Sequence, residues 1–591
     1  MALSEQINGI LAGFADMPGL AKSDKEMIRR KQQSLPALLQ NISEAWNAYT
    51  EKSDSAPGDL RELYDALQSS DAGGGELASF EELTRALFAA ASSAQNDKEN
   101  LSPKELYRWG QELDALSPRV PGTAAMDETT DYLTEKLRSL GIETWTEPID
   151  FRGVFFHEWS FDLISPATRS FVCFPQNNVA FGDAEAELVD AGRGREADYA
   201  GKDVRGKIVL VNWGAIWDHE GPCATRQRYE LLHLYDIAYA NGVAGMVGYF
   251  EDTPGNSLKI VEPGIKPTGG SNISGRSEIG PHHQFAVPAV GIGKEDAAVL
   301  RETLSGGTAR AKLVIRGKRK VSTTQSVVGF LPGTSDKTIA LAAHSCTAFE
   351  GAICDTVGVV GVLGLAKYYA SLPLEKREKS LLFFFDSFHV WGNCCQTANQ
   401  ILKNHEALVP EIEAFLWLDH LSDGKADSER LLLTSDNTVL WPLATLAMAK
   451  RGIRPVALPL NRIWVMCASG PFERLGIPTL SMQSFGDEVL TTEDTWDKFD
   501  QDILHRDVST HLDLTNALMK IETPRDEPGE PVGGCGSLFT STELPAYPPG
   551  EQYVPEPSYP LYVGGAASPV KILSRKAEKE EFFLKEEKQN G

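Results

Sequence analysis

Short apolar runs separated by helical segments fill the chain between residues 320 and 525. The runs TIALAAH, SLLFFFDSF, AFLWLDH and IPTLSMQS are typical of buried parallel strands, and GVVGVLGLAKYYASL has the length and composition of a buried helix. This alternation predicts an α/β fold, with a mostly parallel sheet that helices cover on both faces.

The stretch from 106 to 184 belongs to the same predicted domain, which continues at 316–525. It begins with two helices around a Pro/Gly turn, and the second helix places Leu133 and Leu137 on one side. Gly141 is expected to end that helix, and the alternating residues that follow it predict a strand.

Three further segments complete the predicted organisation. Residues 185–315 alternate strands with short helices and form a separate α/β unit, whose pieces include DVRGKIVLV, NGVAGMVGY and VPAVGIGKEDAAVL. Residues 1–105 predict a helical N-terminal extension, and residues 526–591 predict a Pro/Gly-rich C-terminal arm. The extension and the arm are candidate contact surfaces for a homo-oligomer.

Composition and net charge indicate which kinds of binding partner to expect. The net charge is -25, from 57 basic and 82 acidic residues, so the surface repels polyanions and nucleic-acid binding is not expected. The N-terminus lacks a basic region leading into an apolar stretch, and the longest apolar runs are too short to span a bilayer. The eight cysteines form no Cys-x-x-Cys pair, which fits a reducing cytoplasm without membrane association.

Four polar residues end or follow apolar runs, where ligands gather in open α/β sheets. His344 follows TIALAA, Asp355 lies in a turn that enters a helix, His389 follows SLLFFFDSF, and Asp419 follows AFLWL. One neutral imidazole and two carboxylates suit a divalent ion such as zinc. Taken singly, each residue is more often a local cap or hydrogen-bonding group than a metal ligand.

The order of these pieces resembles the zinc aminopeptidase family, which includes glutaminyl cyclase, nicastrin and transferrin receptor. The resemblance covers about 106–520 and lies in HSC at 344–346, GAICD at 351–355, DSFHVWG at 386–392, LWLDH at 416–420, GIPTLSM at 476–482 and LTTEDT at 490–495. It implies a zinc-exopeptidase-like fold, and it identifies the unit at 185–315 as a protease-associated insert. It also places His344, Asp355 and Asp419 on family metal ligands, with Asp355 at the position that bridges two metals.

The second half of that two-metal site is altered in this chain. Leu490 stands where the resemblance expects the last ligand histidine, and Phe388 or Val390 stands where it expects a glutamate ligand. We therefore expect one divalent metal ion, with zinc as the best fit. His389 is then the candidate general base, since its ordinary pKa of about 6.5 suits proton transfer at neutral pH, or else a fourth ligand.

Neighbouring residues have weaker claims on the site. Strand alternation points His420 to the face opposite Asp419, which predicts a structural role. Cys346 and Cys354 are close to proposed ligands and could ligate or act as nucleophiles, although buried inert cysteine is the commoner case. Asp494 and Thr495 match a structural turn of the family.

The leading hypothesis is a metal-dependent hydrolase of an amide or peptide-like bond near a substrate end, acting on a peptide or small molecule. The main alternative is a catalytically inactive relative with a binding or assembly role, motivated by the lost ligands at 388–390 and 490. A minor alternative is cyclisation or lyase chemistry at the altered site. The sequence names no substrate-binding residue.

Overall fold

The structure is a computed structural model that describes residues 101–526, except 177–178, 215–233, 261–286, 392–395, 426–428, 436–438, 441–442, 445–446, 449–450, 460–467 and 485. Most of the predicted N-terminal extension and C-terminal arm, including the oligomer contacts expected of them, therefore lies outside the described residues. His219, His282 and His283, which lie in predicted loops, are outside them as well.

The described residues build one mixed sheet of 14 strands with helices packed against it. The strands are β1 Glu143–Ser165, β2 Arg169–Phe171, β3 Cys173–Pro175, β4 Gly182–Asp190, β5 Ile208–Gly214, β6 Gly245–Phe250, β7 Ala289–Ile292, β8 Ala309–Leu331, β9 Thr338–His344, β10 Ser380–Asp386, β11 Ile412–Trp417, β12 Glu429–Thr434, β13 Arg454–Pro459 and β14 Thr479–Gln483. The helices are α1 Pro103–Asp114, α2 Ala124–Ser139, α3 Glu196–Tyr199, α4 Lys294–Ser305, α5 Val357–Ser371, α6 Gln396–Asn404, α7 Ser469–Arg474 and α8 Gln501–Lys520.

The α/β fold predicted from the apolar runs is confirmed, and the part of the sheet next to the candidate site is parallel. Strand β9 pairs in parallel with β10 on one side and with β11 on the other, and β11 pairs in parallel with β14. All seven residues of β9 and all seven of β10 are buried, as continuous apolar runs predict. Antiparallel pairs join these strands to the rest, so the sheet as a whole is mixed.

A long antiparallel ribbon links the two ends of the sheet. Strands β1 and β8 each contain 23 residues and pair along almost their whole length. One end of β8 pairs with β10, and the other end pairs with β4, beyond which lie β5, β6, β7 and β3.

The unit predicted at 185–315 contributes β5, β6, β7 and α4, as well as most of β4. Its predicted C-terminal boundary falls inside β8, because that strand runs through both parts of the sheet. Its identity as a protease-associated insert stays a prediction.

Helix α5 is the buried helix predicted between β9 and β10. Its apolar residues from Val357 to Ala366 are buried, since the helix lies between the sheet and helices α1 and α8. Among the described residues, Ala352–Ser371 is the one helical stretch whose length and composition would allow it to cross a membrane, and 94% of that stretch is buried inside the structure. Apolar core helices pass the same test, so this is weak evidence for a membrane span.

Helix α2 also follows the sequence pattern. Leu133 and Leu137 are fully buried, and Gly141, two residues beyond Ser139 at the end of the helix, has a φ of 76°. Glycine adopts that left-handed conformation without the strain that a side chain would cause, which explains why the helix ends there.

Helix α8 contains a buried histidine whose protonation should control stability at mildly acidic pH. His511 is 2% exposed, and its Nδ1 donates to the Asp507 carbonyl at 3.0 Å. Burial lowers the pKa of His511 from 6.5 to about 4, and the partial compensation from Asp507 does not cancel it. The folded state thus favours neutral His511, and this contribution is present above pH 6.5 and is lost as the pH falls toward 4.

We expect His511→Leu to remove that acid sensitivity. Between pH 7 and pH 4 the wild-type protein should lose more free energy of unfolding than the variant, by a difference on the order of 3 kcal/mol or less. Urea denaturation of both proteins at several pH values measures this. Parallel stability curves over the whole range would show that His511 is not the group responsible.

Candidate metal centre

The carboxyl ends of the parallel strands bring the predicted residues to one buried place. His344 is the last residue of β9, His389 follows β10 by three residues, and Asp419 follows β11 by two. One ring nitrogen of each histidine and one carboxylate oxygen of Asp419 lie within 4.8 Å of one another, and all three residues are buried. We call His344, His389 and Asp419 the carboxylate triad.

The hydrogen bonds of His344 determine which of its nitrogens faces the centre. Its Nδ1 lies 2.9 Å from the Cys346 carbonyl oxygen, which can only accept, so Nδ1 carries a proton. Its Nε2 then faces Asp419 Oδ1 at 3.4 Å and Cys354 Sγ at 3.5 Å. This places a nitrogen with metal-binding capacity against two further donor atoms.

Asp419 is oriented from the neighbouring strand. Gln483, the last residue of β14, donates from Nε2 to Asp419 Oδ2 at 3.2 Å. The other oxygen, Oδ1, is buried and faces two imidazoles, with His344 Nε2 at 3.4 Å and His420 Nε2 at 3.5 Å. A buried carboxylate oxygen of this kind needs a cation or a proton beside it, so the donor set fits a metal ion.

The histidine rings stack on one another. The rings of His344 and His389 have centroids 4.3 Å apart and are 10° from parallel, and Trp417 lies 5.5 Å from His389. Because His344 Nε2 already faces Asp419 and Cys354, the stack places His389 above the centre, on one face of the His344 ring.

Asp355 lies beside the centre but uses its carboxylate differently. Its oxygens accept three backbone N–H groups, from His344 at 3.3 Å, Gly358 at 3.0 Å and His420 at 3.2 Å. It belongs to neither of the donor groups whose atoms lie within 4.8 Å of one another in the described chain. Its role as a metal ligand therefore stays a prediction.

Close packing sets the position of Asp355. A Cβ atom at Gly358 would lie 2.0 Å from the Leu418 carbonyl oxygen and 2.3 Å from Asp355 Oδ2, so only glycine allows helix α5 to begin so near the end of β11. Asp494 accepts from the backbone N–H groups of Ile353 at 2.6 Å and Cys354 at 3.2 Å, which holds the turn that carries Asp355. These contacts agree with the structural role predicted for Asp494.

His420 lies at the centre, so the prediction that it points away was wrong. Strand β11 ends at Trp417, and His420 has a φ of 49°, so the alternation of a strand no longer applies there. A ring nitrogen of His420, a ring nitrogen of His344 and Cys354 Sγ lie within 4.8 Å of one another, and all three residues are buried. We call His344, Cys354 and His420 the thiol triad.

Electrostatics show that this region favours a positive charge. Burial would lower the pKa of His344, but Cys354, Asp355 and Asp419 raise it well above its ordinary value. Burial would raise the pKa of Asp419, yet His420 and His344 hold it below its ordinary range. Burial, together with the nearby Asp419, raises the pKa of Asp355. A cation at His344 would satisfy the same groups.

The positions expected to supply a second metal site carry apolar side chains. Leu490 is buried, and its carbonyl oxygen accepts from Ile260 N–H at 3.0 Å. Phe388 is buried against Ile149 and Phe151, with ring centroids 4.5 Å apart in the Phe151 pair. Val390 is fully buried, and its N–H donates to Cys346 Sγ at 3.3 Å.

Sequence analysis missed two residues that support the centre. Gln483 ends an apolar strand run, so the rule that selected Asp419 would also have selected it. Arg119 gave no such signal, yet it is fully buried and donates to the Ser345 carbonyl at 2.7 Å and to Thr356 Oγ1 at 2.9 Å. It thereby links the segments on both sides of the centre.

Comparisons with solved structures support the fold. A peptidase M28 precursor from Shewanella amazonensis aligns over 76% of this chain and 100% of its own, with 18% identity and a TM-score of 0.59. The zinc aminopeptidase BSAP from Bacillus subtilis aligns over 71% of this chain and 94% of its own, with 18% identity and a TM-score of 0.52. The chain has the zinc aminopeptidase fold. No protein-family model and no curated protein sequence matches it.

We expect Arg119→Met to destabilise the protein by about 3 kcal/mol or more, because several buried oxygens would lose a charged donor. Burial lowers the pKa of Arg119 to about 10, so the side chain is still cationic at neutral pH. Urea denaturation measures the loss. Arg108→Met is the matched control, since Arg108 is 56% exposed and its ion pairs contribute about 1 kcal/mol or less. Equal stability of the two variants would contradict the role given to Arg119.

Proposed function

We propose that this protein is a metal-dependent hydrolase that cleaves an amide or peptide-like bond near the end of its substrate. The observation that carries the proposal is the convergence of His344, His389 and Asp419 at the carboxyl ends of three neighbouring strands. Metal-dependent hydrolysis is what the zinc aminopeptidase named above and the peptidase precursor suggest for this fold.

The proposed ion is a single divalent cation, with zinc as the best fit. Imidazole nitrogen and carboxylate oxygen are common zinc ligands. Both are present at the centre, because Asp419 Oδ1 lies 3.4 Å from His344 Nε2. Buried apolar side chains at Leu490, Phe388 and Val390 offer no donor for a second ion. When bound, such an ion would polarise the substrate carbonyl and make water more acidic.

His389 is the proposed general base. Its ring stacks on the His344 ring, so His389 lies beside the centre, where the attacking water would bind. His344 Nε2 faces the Asp419 carboxylate. A histidine in this position would accept a proton from the attacking water and return it to the leaving amine. Asp419 stays ionised and keeps negative charge beside the imidazoles, because its pKa is held low.

We expect His344→Ala to abolish both stoichiometric zinc binding and hydrolysis of aminoacyl and peptide amides. Zinc content is measured in purified protein, and products are identified by mass spectrometry. His157→Ala, on the half-buried part of β1, is the control and should keep wild-type zinc content and activity. Equal zinc in the wild type and His344→Ala would show that the centre is not the metal site.

We expect His389→Ala to keep zinc but to lose about 10²- to 10⁴-fold in kcat, the usual contribution of a general base. Added imidazole should restore part of the activity, because a free base can enter the space left by the ring. Loss of zinc together with activity would make His389 a ligand instead. Wild-type protein that binds zinc but cleaves no amide would leave the hydrolase proposal without support.

A further inference from the structure

Cys354 and His420 are not used by the proposed function, and together with His344 they form the thiol triad. Cys354 lies in the turn between β9 and α5, and His420 lies just beyond β11. The three donor atoms lie within 4.8 Å of one another and are buried. Cys354 is 1% exposed and His420 is 5% exposed.

The distances around His344 Nε2 fit one coordination sphere. In a tetrahedral zinc site, bond lengths of about 2.0 Å to nitrogen and about 2.3 Å to sulfur place neighbouring donors about 3.3 to 3.6 Å apart. The observed separation from His344 Nε2 to Cys354 Sγ is 3.5 Å, and a ring nitrogen of His420 lies within 4.8 Å of both donors. The three donors are therefore close enough together to hold one ion.

An independent observation also points to a cation here. Asp419 Oδ1 is buried and lies 3.4 Å from His344 Nε2 and 3.5 Å from His420 Nε2, so it faces both triad histidines. The Cys346 carbonyl already takes the Nδ1 proton of His344, so with a neutral ring the Nε2 lone pair would face a carboxylate oxygen. Two electron-rich atoms facing each other in a buried site are stable only with positive charge between them.

We propose that the cation at His344 is bound through the thiol triad, so that Cys354 supplies a thiolate ligand. His344 and His420 supply the two imidazoles, and Asp419 supplies the facing negative charge. Three protein ligands leave a position open, as a hydrolytic site requires. The inference rests on the proposed function only in requiring a cation at His344.

Thiolate ligation predicts which metals the site selects. A set of two imidazoles and one thiolate favours zinc, cobalt and cadmium, whereas magnesium and manganese prefer oxygen donors. The same set explains why Asp355 can use its carboxylate for three backbone N–H groups, because Cys354, its neighbour in the chain, takes the ligand position instead.

Cobalt spectroscopy tests the inference without relying on turnover. We expect full-length protein, freed of metal and given one equivalent of Co²⁺, to show sulfur-to-cobalt charge-transfer absorption in the near ultraviolet. Cys354→Ser should lose that absorption and bind zinc at least about 100-fold more weakly, since even residues that only orient ligands contribute 10- to 100-fold. Cys173→Ser, at a buried cysteine in β3 away from the centre, is the matched control and should keep the absorption.

The outcomes separate this inference from the proposed function. Cobalt that binds and supports hydrolysis without charge-transfer absorption would overturn thiolate ligation and leave the hydrolase intact. Absorption that depends on Cys354 in a protein with no hydrolytic activity would support thiolate ligation and overturn the hydrolase. No binding of cobalt or zinc by folded wild-type protein would mean that a proton alone neutralises the cluster. Circular dichroism and thermal unfolding of Cys354→Ser and Cys354→Ala exclude misfolding as the cause of a lost signal.

Discussion

The candidate site depends on one constraint: electron-rich atoms are buried close together around His344 Nε2 and require positive charge nearby. Asp419 Oδ1 and Cys354 Sγ lie 3.4 and 3.5 Å from this nitrogen, in a part of the molecule where water does not screen charge. Such a group would be costly to bury unless positive charge lies among its atoms. The pKa directions of His344 and Asp419 express the same need, because each group favours the form that places positive charge beside negative.

The geometry of the sheet brings these side chains together, and hydrogen bonds from neighbouring segments hold them in position. Residues at the ends of β9, β10 and β11 converge because parallel strands end at the same edge, and β9 lies between the other two. Hydrogen bonds then orient each side chain. The Cys346 carbonyl orients His344, Gln483 orients Asp419, and backbone N–H groups hold Asp355. Arg119, in the segment that joins α1 to α2, donates to the Ser345 carbonyl and to Thr356 Oγ1, so this segment as well as the sheet supports the centre.

The apolar side chains around the centre distinguish it from a site in which two metal ions have full sets of ligands. Leu490 is part of a backbone contact with Ile260, and Phe388 packs on Phe151 of the long ribbon, so both residues contribute packing where a ligand could have been. The proposed hydrolysis uses one cation and the stacked His389.

The sequence by itself determined the α/β fold, helices α2 and α5, and the three strand ends that carry His344, His389 and Asp419, because apolar runs and glycine stops are local signals. Gln483 lay within reach of the same rule. The tertiary structure alone decided that His420 faces the centre, since a positive φ beyond the end of β11 breaks strand alternation. It also decided that Asp355 accepts from the backbone of His420 and that Arg119 donates to the Ser345 carbonyl, because both contacts join segments more than 60 residues apart in the chain. Local pattern specifies which face of an element is buried, but the partner of a buried polar group depends on how distant elements pack together.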